Sequence, residues 1–92
     1  MTTIVNLRIE KYDVYIGRAG RGKDGYFGNP FSFGTREQNI SDFMDYFYSR
    51  LESDPVFRYR VGQLRDKTLG CFCKPLACHG DVIKEYLDSL TI

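Results

Sequence analysis

The chain has no tryptophan, one histidine, three prolines and three cysteines among its 92 residues. It also lacks a surplus of either charge: 13 basic residues stand against 12 acidic ones. A net charge of +1 excludes the strongly basic surface of a general DNA- or RNA-coating protein. No apolar run approaches the roughly 18 residues of a membrane span, so no membrane role is expected. The opening Met1-Thr-Thr-Ile-Val-Asn-Leu-Arg8 is too short and too soon charged for a secretory leader. An odd number of cysteines without such a leader reads as thiols in a reducing compartment, and the expectation is a soluble, cytoplasmic protein. Repeats, linkers and low-complexity segments are missing too, which leaves one small domain over residues 1–92. A chain this short buries only about 60–65% of its extended surface, so a dimer, a bound metal or a tightly held ligand would each help it.

What is present divides into six elements. Ile4, Val5, Leu7 and Ile9 form a β-prone run, and Asp13-Val-Tyr-Ile16 forms a second. The short polar gap between them predicts an antiparallel hairpin, since a parallel crossover ordinarily takes a dozen residues or more. Thr35 with Gln38 predicts a capping box opening a helix over Arg36–Ser53, with Ile40, Phe43, Met44, Phe47 and Leu51 on one stripe. Asp54-Pro55 restarts a helix, aspartate as cap and proline at the first position, with Val56, Phe57, Val61 and Leu64 turned inward. Thr68–Phe72 reads as a strand, and Gly80–Leu90 as a helix with Val82, Ile83, Tyr86, Leu87 and Leu90 on one face. The order strand, strand, helix, helix, strand, helix predicts a minimal α/β fold. It is Rossmann-like, with a three-stranded sheet carrying one antiparallel hairpin strand, a parallel crossover between the second and third strands, and three helices.

Glycine is not scarce. Gly17, Gly20, Gly22, Gly25, Gly28 and Gly34 punctuate a long loop that also holds Asn29-Pro30. Structureless loops longer than about 12–15 residues are often functional, and Tyr26, Phe27, Phe31 and Phe33 are too apolar for a free tether. Its charges are Arg18, Arg21, Lys23 and Arg36 against Asp24 alone, which suits a compact anion. Backbone amides free of Cβ obstruction beside cations are the parts of an anion cradle. No Gly-Lys-Ser/Thr closes the loop as in a P-loop, and the glycine spacing is not that of a dinucleotide fingerprint. Asn29, biased to an extended backbone by Pro30, either holds its amide toward a ligand or closes a turn on its own backbone.

The other dense stretch is Cys71-Phe-Cys-Lys-Pro-Leu-Ala-Cys-His-Gly-Asp81, with every cysteine and the histidine of the chain. Ligands of open α/β sheets bind outside the carboxyl ends of the strands, and this stretch and the glycine loop each leave such an end. Two parallel neighbouring strands would set them face to face. A Cys₃His zinc set is complete on paper, but only one residue separates Cys71 from Cys73, and Cys78 and His79 are adjacent. A metal held by Cys73, Cys78 and His79, with zinc as the ion, stays open. So does catalysis: Cys78 as a thiolate at a helix N-terminus beside Lys74, with His79 or Asp81 as general acid or base. Cys71 alternates with Leu69 onto one strand face and reads as core. The positive end of the last helix at Gly80 adds to the same edge.

Tyr15-Ile-Gly-Arg18, Gly28-Asn-Pro-Phe31 and Cys71-Phe-Cys-Lys-Pro-Leu-Ala-Cys-His-Gly-Asp-Val82 together resemble the signature of a small bacterial and phage family, a domain of unknown function. The likeness covers nearly the whole chain. The family often has tryptophan where Phe72 stands, a change that keeps an aromatic. The resemblance implies a shared site including Gly17, Arg18, Asn29, Pro30, Cys73, Lys74, Pro75, Cys78, His79, Gly80 and Asp81, in the cytoplasm of a bacterium or a phage-infected cell. It brings no activity with it.

Two functions follow as expectations. The first is binding of a nucleotide, nucleoside or similar phosphorylated molecule, with group transfer or hydrolysis as the accompanying chemistry. Gly17, Arg18, Gly20, Asn29, Pro30, Lys74 and Gly80 would hold the ligand, and Cys78, His79 and Asp81 would face the reacting centre. The second is a non-enzymatic, metal-stabilised interaction module that inhibits a host protein or contacts nucleic acid.

Overall fold

The computed structural model describes residues 2–90 apart from Ala19, Arg21, Asp24, Cys73 and Pro75. The expectations placed on Arg21, Cys73 and Pro75 therefore lie outside the described residues. The chain runs β1 (Thr3–Asn6), β2 (Val14–Tyr15), α1 (Arg36–Ser53), α2 (Pro55–Gly62), β3 (Thr68–Cys71) and α3 (His79–Ser89). It is an α/β fold with three strands and three helices.

The expected hairpin does not form. β3 lies in the middle of the sheet and both other strands pair with it in parallel, in the order β1-β3-β2. Ile4 faces Leu69 and Asn6 faces Cys71 on one side, while Val14 faces Leu69 and Tyr15 faces Gly70 on the other. Residues 7–13 must therefore leave the end of β1, cross β3 and return to the start of β2. The gap is short enough because the strands are short. The crossing covers about 10 Å sideways and about 7 Å backward, whereas seven residues can reach more than about 20 Å. The crossing also needs clearance over β3, and Gly70 supplies it. A Cβ on Gly70 would come within 2.7 Å of the Tyr12 ring.

The opposite sheet face carries the core. Ile4, Ile16, Leu69 and Cys71 from the sheet side meet Phe43, Phe47 and Leu51 of α1, Phe57 and Val61 of α2, and Val82, Ile83 and Leu87 of α3. Met44 and Val56, expected inside, are exposed. The bulk of Phe43 and Phe47 already fills the narrow face that α1 turns inward. Tyr26, Phe27 and Phe31 of the glycine loop pack against the core, but Phe33 is fully exposed.

The helix starts follow from their caps. Thr35 Oγ1 accepts from Gln38 N at 3.1 Å, yet the Gln38 amide turns forward to Asp42, so only half of the expected box is made. Asp54 caps α2 by accepting from Phe57 N at 3.0 Å, with Pro55 at the first position. The reciprocal box forms instead on α3, where Cys78 is the cap and Asp81 Oδ2 accepts from Cys78 N at 3.1 Å.

The crossing over β3 has a direct check. Gly70→Ala is expected to destabilise the fold by about 1–3 kcal/mol through overpacking against Tyr12, read as a lower urea midpoint. The loss should shrink by about 1 kcal/mol in a Tyr12→Ala background, because the two positions touch. A neutral Gly70→Ala would mean that the crossing does not depend on this clearance.

Candidate functional site

All three strands point the same way, so all three carboxyl ends open at one edge of the sheet. The exits are Leu7 and Arg8 after β1, Gly17 and Arg18 after β2, and Phe72 after β3. Together with Cys71, Cys78 and His79 on one wall and Arg36, Asn39 and Ile40 of α1 on another, they line a cavity of about 740 Å³. Its volume lies inside the ~300–1,000 Å³ range of small-molecule sites.

The glycine loop is held in shape by its own backbone and by Arg18. A Cβ on Gly28 would lie 2.5 Å from the Gly17 carbonyl oxygen, so the two strands of the loop touch main chain to main chain. The Arg18 guanidinium donates to the carbonyls of Asn29 and Phe31. Tyr15 donates its hydroxyl to the Arg18 carbonyl at 2.6 Å. Asn29 is buried, accepts from Phe31 N at 2.9 Å and donates to the Asn39 carbonyl at 3.0 Å. Of the two readings open for Asn29, its amide makes the turn, and it also pins the loop to α1.

The cysteine stretch is anchored from β1. Asn6 donates to the Lys74 carbonyl at 2.8 Å and accepts from Arg8 N at 2.9 Å, so one side chain fixes both the exit of β1 and the turn after β3. Arg36 reaches across from α1 to the Ala77 carbonyl at 3.2 Å. Cys78 Sγ accepts from Gly80 N at 3.2 Å, lies 2.8 Å from Cys71 Sγ and 3.7 Å from His79 Nδ1.

His79 is buried and donates through Nε2 to the Ile16 carbonyl at 2.6 Å, joining the start of α3 to the end of β2. Its ring stands edge-on to Phe43 at 5.0 Å. Burial holds its pKa below the ordinary 6.5, and the positive charge of Arg18 pushes the same way. The Ile16 and Phe27 carbonyls and Asp81 oppose the shift without overcoming it.

The electrostatics of the lining are one-sided. Arg8, Arg18, Lys23 and Arg36 line the cavity, and no carboxylate does among the described residues. Arg8 lies 5.0 Å over the Phe72 ring and Lys23 lies 5.4 Å over the Tyr15 ring. Tyr12 completes an aromatic wall.

Of the residues singled out in sequence, Gly17, Arg18, Gly20, Asn29, Cys78 and His79 line this cavity. Pro30 lines a neighbouring hollow of about 500 Å³ with Tyr26, Tyr46 and Arg50, which shares Arg18 and Asn29 with the first. Lys74 and Asp81 do not reach the lining. They form an ion pair at 2.5 Å, and the second Asp81 oxygen caps α3. Gly80 is buried against Ile4 and Ile16, beneath the cavity. Among the described residues, no group of three or more side chains is arranged to hold a metal ion. Arg8, Tyr12, Asn6 and Asn39 were not anticipated. The signal for the first three was the parallel direction of β1, which the hairpin reading concealed.

Fold and cavity define a small parallel α/β protein whose strand ends share one cationic, aromatic-walled hollow. The chain belongs to the family of the domain of unknown function DUF4326, which matches residues 3–89. It is 36% identical over 87 residues to an uncharacterized 12.4 kDa protein in the nrdA-td intergenic region of Enterobacteria phage T4, covering 95% of this chain and 78% of that protein. No solved structure matches the chain. Among the described residues, no helix is long and apolar enough to cross a membrane.

Asn29→Ala is expected to cost about 2–3 kcal/mol, since two hydrogen bonds at a buried site lose their partner at once. Urea unfolding measures it, and a loss below about 0.5 kcal/mol would remove Asn29 from the framework. His79 generates a pH dependence. Its folded pKa is depressed, so the unfolded chain binds the proton more readily. Its contribution is therefore present above pH 6.5 and is lost as pH falls through the folded value. The Asp54 and Asp88 carboxylates, held below 3.8, act only in more acid solution. Stability should fall between about pH 7 and 5, and His79→Gln should flatten that slope. An unchanged slope would assign it elsewhere.

Proposed function

We propose that the protein binds a nucleotide, nucleoside or similar phosphorylated small molecule in the cavity at the strand ends. The observation that carries this reading is the composition of the lining: four cations and three aromatic rings, with no carboxylate among the described residues. A phosphate needs the cations, and a flat base suits the walls of Tyr12, Tyr15 and Phe72. The position agrees with the Rossmann-like expectation that ligands sit beyond the carboxyl ends of parallel strands.

The cations divide by what already holds them. Arg18 meets two backbone carbonyls and serves mainly to shape the loop. Arg8 and Lys23 rest on ring faces, an exposed contact of about 0.5–1 kcal/mol. A charge-assisted hydrogen bond to phosphate is stronger, about 1.5–3 kcal/mol, so these two can turn from ring to ligand. Group transfer or hydrolysis on such a ligand would fall to Cys78 as nucleophile and His79 as base, a thiol and an imidazole that both line the cavity.

Thermal unfolding with nucleoside mono-, di- and triphosphates, bare nucleosides and sugar phosphates tests the reading. A phosphorylated ligand at one hundred times its Kd should stabilise the fold by about 2.7 kcal/mol, more than the unphosphorylated nucleoside does, and less at high salt. Arg8→Ala and Lys23→Ala, both at exposed positions, should each weaken binding about tenfold. No shift with any of these compounds at millimolar concentration would end the proposal.

A further inference from the structure

Building on the reading proposed above, we infer that the ligand carries a second phosphate, set apart from the first and seated in the neighbouring hollow beside Pro30 by Arg18 and Arg50. The ligand class narrows to a nucleotide with phosphates on both sides of its sugar. The two hollows adjoin and repeat one another. Each is lined by cations and tyrosines, and no carboxylate lines either among the described residues. Arg18 and Asn29 line both. Arg18 is exposed, so one molecule can lie across it from hollow to hollow. The cations fall in two groups, Arg8 and Lys23 on the rings of the first hollow and Arg50 in the second, with Arg18 between them. A phosphate chain on one side of a sugar gathers its charge in one place and would meet one group. Phosphates on both sides meet both.

Arg50 is set up to receive an anion. Its guanidinium lies 4.1 Å from the centroid of Phe57, 5.1 Å from that of Tyr26 and 5.9 Å from that of Tyr46. Three rings fix the position of the charge and add no anion to it. Nη1 donates to the Tyr46 hydroxyl at 2.7 Å, and Nε reaches Asp54 at 3.4 Å. Nη2 makes no hydrogen bond among the described residues, so one edge of the fork is open to a phosphate. Asp54 does not line the hollow, and its other oxygen caps α2. Arg18 donates to two carbonyls, which are neutral, so its charge has no anionic partner among the described residues. Two guanidinium groups with charge to spare thus border one hollow. Tyr26 already carries Arg50 and, at 3.7 Å, Arg60 on its ring, which suits the hollow to an anion better than to a second stacked base.

The experiment titrates the full chain calorimetrically with the 5′-monophosphates, 5′-diphosphates and 3′,5′-bisphosphates of adenosine, guanosine, cytidine and uridine. The last two kinds carry the same number of phosphates, so they separate placement from charge. For a nucleoside that binds, the 3′,5′-bisphosphate should bind about tenfold more tightly than the 5′-diphosphate. It should also shift the nuclear magnetic resonances of the Gly25 amide and the Arg50 Nε–H, which the 5′-monophosphate should leave in place. Arg50→Gln should abolish the tenfold preference and leave the affinity for the 5′-monophosphate unchanged. Should that variant fail to fold, the wild-type affinities and resonance shifts decide the matter. Binding of the bisphosphate no tighter than that of the diphosphate would overturn the second phosphate and leave the reading of the first hollow standing. Equal weakening of all three ligands by Arg50→Gln would do the same. Absence of binding by every one of these ligands would remove both.

Discussion

The close passage of Tyr12 over Gly70 governs the direction of the sheet. β3 is flanked on both sides by strands that precede it by more than fifty residues, and a side chain at Gly70 would obstruct the link between those two. With the link in place, β1 runs parallel to β2 and not against it. Three strand ends then open at one edge. An antiparallel β1 would have carried Asn6 and Arg8 to the far end of the sheet, leaving the turn after β3 without its anchor and the cavity without one of its cations.

Around that edge, most polar groups are spent on the protein itself. Asn6, Arg18, Asn29 and His79 each meet a backbone carbonyl, and Asp81 meets both a cap and a lysine. Buried polar atoms are costly unless paired, so such bracing is what allows a loop with so many glycines to hold one shape beside a hollow. The cations resting on rings are a different population. Their contacts are weak, nondirectional and exchangeable, and they lie where no carboxylate lines the hollow among the described residues.

Much of this was legible in the residues. The span of α1, the Asp54-Pro55 restart, β3 followed by a helix, and the meeting of the two dense motifs all follow from caps, periodicity and chain direction. The errors have specific causes. The hairpin came from applying a typical crossover length to strands of four and two residues, whose ends are only a short step apart. Glycine within an apolar strand often marks a close approach of backbone, and Gly70 was that signal. Met44 and Val56 fit their stripes by period but not by volume, since neighbouring phenylalanines had filled the available face. Asn29, which lines the cavity, and Asp81, which does not, both brace the chain here, and the residue types that brace a loop are also those that hold a ligand.

The central position of β3 also sets an order of events during synthesis. β1 and β2 have no strand to pair with until residues 68–71 have left the ribosome, because each bonds only to β3. Nearly three-quarters of the chain must emerge before any sheet hydrogen bond closes. The helical pair α1 and α2 is local and complete earlier. Contacts of such long sequence separation slow folding, because the loops they close cost entropy before the contacts form. The nascent chain therefore carries two unpaired strand edges through most of its translation, and the last quarter of the sequence, which also supplies the cysteine wall, is the part that ends that exposure.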